Sequence, residues 1–307
     1  MSDPLYILGG GSLGLLWAAR CAQAGIDCRL ILRTPQALEQ WQARDDRLIL
    51  EQQGVQHPLQ VRAELADATS PIQHLIVATK AWAVAGAVDD IAPRLTEHSQ
   101  LLLLQNGLGS QQSVSQRFPA LRVLYASVTD GAWKRSANHV VWAGVGQTLI
   151  GDPQGGQAPA WLQQLSQAQI AWQWEPDILA VLWVKLAINC AINPFTALHD
   201  CANGAVPVHA GAVFPALLAD LHRLLNSQGV ALSFEQLQQR ILDVIQATAG
   251  NSSSMRQDLA AGRRTEIDFI LGHACRNARQ AGLDTPTLDA LYQQLRQHLA
   301  ERGLPLD

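Results

Sequence analysis

Short apolar runs alternate with helical patterns along the first half of the chain. Residues 5–9 and 28–32 have the composition of buried strands, and residues 12–24 between them have the periodicity of a helix. Further buried strands are predicted at residues 72–78, 100–104 and 123–127. Strands and helices that alternate in this order predict an α/β fold built on a parallel, doubly wound sheet.

Two hairpins are expected to interrupt this alternation. Residues 48–51 can pair with residues 55–61 across a short turn that contains Gly54. Residues 139–143 can pair with residues 147–150 in the same way, around Gly144 and Gly146.

The periodicity becomes helical beyond about residue 175. Apolar side chains recur every three or four residues in four stretches, 217–225, 237–245, 267–274 and 288–299. A loop rich in glycine and proline, residues 151–159, precedes the change. We therefore predict a sheet-containing domain of residues 1–175 and an all-helical domain of residues 176–307.

The composition is that of ordinary globular domains. Of 307 residues, 48% are hydrophobic and 16% charged, with a net charge of −4, so we expect neither disorder nor binding to nucleic acid. Five cysteines and nine histidines are scattered without disulfide or ligand spacing, which favours reduced thiols, a cytoplasmic location and no bound metal. We see neither the basic start of a signal peptide nor an apolar run of membrane-spanning length, so no membrane association is expected.

A glycine-rich sequence follows the first predicted strand. It matches the pattern G-x-G-x-x-G and reads Gly9-Gly10-Gly11-Ser12-Leu13-Gly14. In such a turn the three glycines allow a tight bend, a close approach of a pyrophosphate and close helix packing, while the helix N-terminus offers N–H groups to phosphates. This context predicts a Rossmann-type dinucleotide site, and a purely structural turn is the alternative.

The residue at the end of the second strand distinguishes the two nicotinamide dinucleotides. Enzymes that use NAD place a carboxylate there, whereas this chain has Arg33, whose guanidinium can pair with a 2′-phosphate. Lys80, after a later strand, can add a second positive charge. The pair predicts NADPH as the cofactor, and ordinary surface cations are the alternative.

Three polar residues interrupt an apolar segment at 182–194. Lys185, Asn189 and Asn193 are spaced four residues apart, so they project from one face of the predicted helix. Burial lowers the pKa of a lysine and suits it to act as a general acid near neutral pH. The alternative is a lysine that extends to solvent beside two amides bonded to the backbone.

Other candidate side chains have competing structural explanations. Asn106 can bond a ribose, nicotinamide or substrate group, or can simply form an Asn-Gly turn. Ser254, three residues before Gln257, can belong to a capping box. Glu266 can be an ordinary acid at a helix start.

Together these segments resemble the ketopantoate (2-dehydropantoate) 2-reductase family. The match runs in order along nearly the whole chain and includes the glycine sequence, Thr-Lys-Ala-Trp at 79–82, Gln-Asn-Gly-Leu-Gly at 105–109, the segment 183–194, the serine-rich segment 253–258 and Thr-Glu-Ile-Asp at 265–268. The lysine–asparagine helix and the Thr-Glu-Ile-Asp sequence are more specific than the glycine motif.

The resemblance implies NADPH-dependent reduction of 2-dehydropantoate, a 2-oxo acid, to (R)-pantoate on the route to pantothenate and coenzyme A. It implies that Lys185 is the catalytic acid and that Glu266 lies near the ribose and the substrate hydroxyls. The positions that match contacts to substrate or cofactor are Asn106, Asn189, Asn193 and Ser254, with Asn251 and Asp258 in secondary roles and Arg33 and Lys80 around the 2′-phosphate.

The chain departs from the family pattern at residues 129–139, a region that lies near the cofactor in the family. Two other functions stay open from the sequence. One is an NADPH-dependent reductase of another 2-oxo acid, and the other is an NADPH-binding sensor without catalytic activity. The polar face that carries Lys185 argues against the sensor. Both a monomer and a homodimer are compatible with the sequence.

Overall fold

The computed structural model of the protein describes residues 3–307. The chain forms two compact units. The N-terminal unit contains residues 3–105 and Ser110–Ile178, and the C-terminal unit contains Asn106–Gly109 and Leu179–Asp307. The tetrapeptide Asn106–Gly109 therefore belongs to the C-terminal unit, although it follows a strand of the N-terminal one.

An eight-stranded sheet forms the centre of the N-terminal unit. Its strands are, in spatial order, β12 (Trp172–Trp174), β11 (Thr148–Gly151), β8 (Arg122–Val128), β7 (Leu95–Leu103), β6 (Ile72–Val77), β1 (Leu5–Leu8), β2 (Cys28–Leu32) and β5 (Arg62–Leu65). All neighbouring strands are parallel except β8 and β11. The predicted doubly wound sheet of Rossmann type is thus confirmed.

Helices complete the N-terminal unit: α1 (Ser12–Gln23), α2 (Pro35–Gln42), α3 (Val84–Ile91), α4 (Ser110–Arg117) and α5 (Gln163–Gln167). Every residue of β1 is buried, as expected of a central parallel strand covered on both faces. Leu15, Leu16 and Trp17 of α1 are fully buried in the same core. This packing fixes the turn between β1 and α1, where the glycine sequence lies.

A second, four-stranded sheet has the order β4 (Val55–Gln60), β3 (Arg47–Gln52), β10 (His139–Gly144) and β9 (Gly131–Ser136). The antiparallel β3–β4 pair confirms the first predicted hairpin. The second predicted hairpin is wrong, because β10 pairs with β3 and β9, whereas β11 lies in the large sheet.

Contacts around Asp130 explain this difference. Its Oδ1 accepts hydrogen bonds from the Gly146 N–H (3.0 Å) and the Trp142 indole N–H (3.2 Å). A Cβ on Gly146 would lie 2.2 Å from the carbonyl carbon of Thr129, so the backbone passes too closely here for a larger residue. Residues 144–147 therefore cross from one sheet to the other. The exposed polar side chains of β9 give no strand pattern that would have predicted its pairing.

Every regular element of the C-terminal unit is a helix. Its elements are α6 (Ile178–Leu198), α7 (Val206–Ala210), α8 (Val213–Ser227), α9 (Phe234–Ala247), α10 (Ser254–Ala260), a π-helix (Asp268–Gly272), α11 (His273–Gln280) and α12 (Pro286–Glu301). The predicted apolar stripes form its core, since Leu217, Leu221, Ile241 and Leu288 are all fully buried.

Helix α6 is long and apolar enough, by length and composition, to span a membrane. Its most apolar window is 61% buried inside the protein, and core helices of water-soluble proteins pass the same test. The helices at 203–210 and 213–227 are joined at a sharp bend. They meet the criterion for a membrane span only if the two are counted as one span. The sequence predicts this helix but offers no unbroken apolar run of that length, because Lys185, Asn189 and Asn193 divide it.

Asp220 provides a test of the helical packing. The side chain is 2% exposed, and its Oδ2 accepts the N–H groups of Thr287 (2.9 Å) and Leu288 (3.0 Å) in the first turn of α12. We expect Asp220→Ala to lower the free energy of unfolding by about 2–3 kcal/mol, because buried donors lose their acceptor. Urea denaturation followed by circular dichroism measures this. The exposed Asp243→Ala on α9 is the control, and equal stabilities of the two variants would contradict the prediction.

Candidate active site

The glycine turn between β1 and α1 is tightly packed. Gly9 has a φ of +111°, and a Cβ there would lie 2.9 Å from the side chain of Thr79, just after β6. A Cβ on Gly14 would lie 2.0 Å from the Gly9 carbonyl oxygen. Larger residues at either position would therefore push the strand and helix apart.

The N-terminus of α1 suits an anionic ligand. Its N-cap residue, Gly11, provides no side-chain cap, and the first turn contains no acidic residue. Ser12 and Leu13 are only partly buried. Backbone N–H groups and the positive end of the helix dipole can therefore interact with phosphate oxygens. These residues fit the pyrophosphate of a dinucleotide.

Two candidate cations lie at the carboxyl ends of the strands that flank β1. Arg33 directly follows β2 and is exposed, and Lys80 follows β6 and is partly buried. Both strands pair with β1 in parallel register, so the two residues and the glycine turn share one edge of the sheet. Ligands of open α/β sheets bind at this edge.

The C-terminal unit contains the predicted polar face of α6. Lys185 and Asn189 are partly buried, and Asn193 is 5% exposed. Burial lowers the pKa of Lys185 from 10.5 to about 8, while the charge of Glu266 opposes that decrease. Lys185 is thus poised to hold or release a proton close to neutral pH.

Glu266 is a buried carboxylate, 5% exposed, and not an ordinary acid at an exposed helix start. It lies two residues before the π-helix, and its carbonyl oxygen accepts the N–H groups of Phe269 and Ile270, both at 3.1 Å. The side chain of Asp268 accepts hydrogen bonds from Arg276 (2.7 Å) and Tyr292 (2.8 Å). These contacts hold the backbone that carries Glu266. Local π-helical segments are common at functional sites.

The loop that carries Asn106 packs against the same π-helix. Gly107 has a φ of +78°, and a Cβ there would lie 2.3 Å from the Phe269 carbonyl oxygen. That oxygen also accepts the Leu108 N–H at 2.9 Å. Asn106 is therefore in the same unit as Lys185 and Glu266, and its glycine neighbour is required for close backbone contact as well as for a turn.

The serine-rich segment is organised differently from the predicted capping box. Ser253, not Ser254, caps α10 by accepting the Arg256 N–H at 3.1 Å, and its hydroxyl lies 2.6 Å from that of Thr196 on α6. Ser254 is exposed at the first position of the helix. The Ser254 hydroxyl therefore does not cap α10, whereas Ser253 caps this helix and links it to α6.

Two other residues of this segment are more peripheral. Asn251 is exposed, and its backbone bonds to Asn203 and Thr248. Asp258 is buried and pairs with Arg263 at 3.0 Å.

Among residues 3–307, no group of three or more His, Cys, Asp or Glu side chains is placed to hold a metal ion.

His273 is a site-adjacent residue that the sequence did not indicate. It begins α11, its ring lies 5.4 Å from that of Trp183 on α6, and a Cβ on Gly109 would lie 3.0 Å from its Nδ1. Burial lowers the pKa of His273 to about 4, so its ring is neutral at physiological pH. It packs between the Asn106 loop and α6 without adding a charge near Lys185.

Comparisons with known proteins place this arrangement in a family. A family model described as ketopantoate reductase PanE/ApbA matches residues 5–155, and the model of its C-terminal part matches residues 177–299. The chain belongs to the ketopantoate reductase family. A 2-dehydropantoate 2-reductase of Vibrio cholerae is 35% identical, covering 95% of this chain and 96% of that protein. One of Yersinia pestis is 32% identical over 95% of the chain and 94% of that protein.

Solved structures share the fold at lower identity. A PanE/ApbA family ketopantoate reductase from Ralstonia eutropha has a TM-score of 0.87 and 24% identity, covering 98% of this chain and all of that one. A D-mandelate dehydrogenase solved with NADH and anilino(oxo)acetate has a TM-score of 0.88 and 18% identity, with the same coverage. The fold alone therefore identifies neither the substrate nor the dinucleotide.

The influence of Glu266 on Lys185 is directly testable. A carboxylate favours the charged ammonium, so Glu266→Gln should move the pKa of Lys185 to below about 8. NMR titration of lysines labelled at the ε carbon measures that value. Glu301→Gln, an exposed change on α12, is the control and should leave the titration in place. A pKa of Lys185 that stays the same or rises in Glu266→Gln would refute the assignment.

Proposed function

We propose that the protein reduces 2-dehydropantoate to (R)-pantoate with NADPH as the hydride donor. The observation that carries this proposal is the partly buried Lys185, with a pKa of about 8, in the electrostatic field of the buried Glu266. Reduction of a ketone requires a proton at the carbonyl oxygen as charge develops there. Membership of the ketopantoate reductase family supports the same reaction.

The N-terminal unit holds the dinucleotide. The glycine turn and the start of α1 accommodate the pyrophosphate, and Arg33 and Lys80 pair with the 2′-phosphate. When bound, NADPH supplies the hydride. A guanidinium can pair with a 2′-phosphate through two parallel hydrogen bonds, so Arg33 favours NADPH over NADH.

The C-terminal unit holds and protonates the substrate. Lys185 donates a hydrogen bond to the ketone oxygen and then transfers a proton to it. The amides of Asn189 and Asn193 and the hydroxyl of Ser254 bind the carboxylate and hydroxyl of the substrate. Asn106 contacts substrate or cofactor from the loop that packs on the π-helix.

Glu266 acts on both the lysine and the bound molecules. Burial alone would lower the pKa of Lys185 further. The negative charge of Glu266 opposes this and keeps a larger fraction of the lysine protonated. Its carboxylate oxygens can also accept hydrogen bonds from a ribose or substrate hydroxyl. Asn251 and Asp258 support this side of the site from the α10 segment.

We further propose a cytoplasmic enzyme that acts as a monomer or a homodimer. All five cysteines are free thiols, and four of them are buried. A structural neighbour from Staphylococcus aureus, 23% identical, is described as a dimeric ketopantoate reductase.

A steady-state assay with a panel of 2-oxo acids tests the proposal. We expect 2-dehydropantoate to have the highest kcat/KM and NADPH to be preferred over NADH. The second candidate is an aromatic 2-oxo acid, because a neighbour of the same fold is a D-mandelate dehydrogenase. If phenylglyoxylate were the better substrate, the proposed substrate would be wrong. NADPH binding without turnover of any 2-oxo acid would indicate a sensor instead.

The role of Lys185 predicts a specific pH dependence. Its ammonium is the proton donor, so kcat should decrease as pH rises through about 8 and the lysine loses its proton. Lys185→Ala should lower kcat by roughly 10²–10⁴ at neutral pH, where the lysine of the parent is protonated, and by less above pH 8. In Lys185→Arg the residual rate should no longer decline near pH 8, since the guanidinium stays charged. A Lys185→Ala variant with wild-type turnover would remove this residue from the mechanism.

A further inference from the structure

Asn193 lies at a point where helix α6 needs support from outside. It directly precedes Pro194, which is inside the helix. A proline has no N–H for the backbone hydrogen bond of its own turn, and it disfavours the α conformation of the residue before it. Asn193 is nevertheless helical, and it is 5% exposed. Other contacts must therefore hold this turn in place.

Two buried hydroxyl groups provide such contacts. The Thr196 hydroxyl donates a hydrogen bond to the Asn193 carbonyl oxygen at 2.9 Å, and its oxygen lies 2.6 Å from the Ser253 hydroxyl oxygen. Thr196 is completely buried, and Ser253 is 7% exposed. A hydroxyl has a single hydrogen, and that of Thr196 is directed to Asn193. Ser253 must therefore be the donor to Thr196, while its own oxygen accepts the Arg256 N–H at 3.1 Å.

This chain of hydrogen bonds joins the backbones of two residues proposed to bind the substrate. At one end is the carbonyl of Asn193 on α6, and at the other is Ser253, which directly precedes Ser254 and caps α10. A threonine inside a helix can bond to a carbonyl of the preceding turn, which by itself is only a local contact. The link to Ser253, across 57 residues of sequence, goes beyond that local role. Because each hydroxyl donor has an acceptor, the network can fix the two helices relative to each other.

We propose that Thr196 and Ser253 are positioning residues that hold Asn193 and Ser254 in place for the carboxylate and hydroxyl of the 2-oxo acid. Both hydroxyls are buried and used within the network, so they act through their neighbours and not by contact with the substrate. Lys185 lies about two turns before Asn193 on α6, so loss of the network should impair substrate binding more than proton transfer. This inference rests on the proposed function and adds to it the contact that aligns its substrate-binding helices.

Steady-state kinetics of variants with and without the hydroxyl test this inference. Thr196→Val keeps the branched shape of the side chain and removes the hydroxyl. It should raise KM for 2-dehydropantoate by about three- to ten-fold and leave kcat within about two-fold, because substrate alignment is lost while the proton donor is retained. Thr196→Ser keeps the hydroxyl, so its KM should stay within about two-fold of the parent. The Kd for NADPH, measured by fluorescence titration, should be unchanged in both variants.

The separation of KM from kcat distinguishes positioning from a simple loss of stability. A destabilised enzyme has fewer folded molecules, which lowers the apparent kcat and leaves KM unchanged. The matched control is Ser227→Ala, which removes a hydroxyl that bonds to the Leu224 carbonyl of its own helix at 2.7 Å and should change neither constant. Ser253→Ala breaks the same link from α10 and should also raise KM, so it provides the test if Thr196→Val does not fold. In the double variant KM should rise no further than in the more impaired single variant, since both changes remove one link.

The possible failures of this inference and of the proposed function are distinguishable. If KM of Thr196→Val stays close to that of the parent, or rises equally in Thr196→Ser, the inference is wrong and the proposed function is untouched. A decrease in kcat alone would show that the network serves stability only, which also contradicts the inference. If the parent prefers a different 2-oxo acid, the proposed substrate is wrong, and the same comparison of KM with that acid decides the inference. If the parent reduces no 2-oxo acid, both are wrong.

Discussion

The site depends on keeping an ammonium and a carboxylate charged inside an apolar helical unit. Removing either charge from water is unfavourable, and the two groups tolerate burial because each lies in the field of the other. Burial outweighs the attraction at Lys185, which leaves its pKa at about 8. A fully exposed lysine would remain a weaker acid, and a buried one without Glu266 would have a pKa below about 8. The pKa of Lys185 is thus set by the balance between burial, which lowers it, and the charge of Glu266, which raises it.

The surrounding backbone maintains this balance. Glu266 precedes a π-helix that Asp268 anchors through Arg276 and Tyr292. The same segment accepts the Asn106 loop through the Phe269 carbonyl. Because that carbonyl contacts a glycine at 107, Asn106 and Glu266 are positioned by one piece of backbone. A structural change in the π-helix would thus move Asn106 and the carboxylate that raises the pKa of Lys185 together.

Much of this arrangement follows from local sequence, and some of it does not. The spacing of Lys185, Asn189 and Asn193 predicts a shared polar face because helix geometry is regular. The strands β1 and β2 were predicted within one residue, since continuous apolar runs mark buried parallel strands. The pairing of β10 was predicted wrongly, because it depends on how Asp130 and Gly146 meet. No local pattern indicates such long-range backbone contacts.

Lysines in this protein illustrate how environment assigns a role to one side chain. Lys80 is partly buried at the sheet edge where a phosphate group of the dinucleotide is proposed to bind. Binding a phosphate requires a lysine that holds its charge. In the proposed mechanism Lys185 instead releases a proton during each turnover, and burial favours that release. Under this proposal the loop after β6 and the helix α6 use the same residue type for opposite reasons, one to hold a charge and the other to give it up.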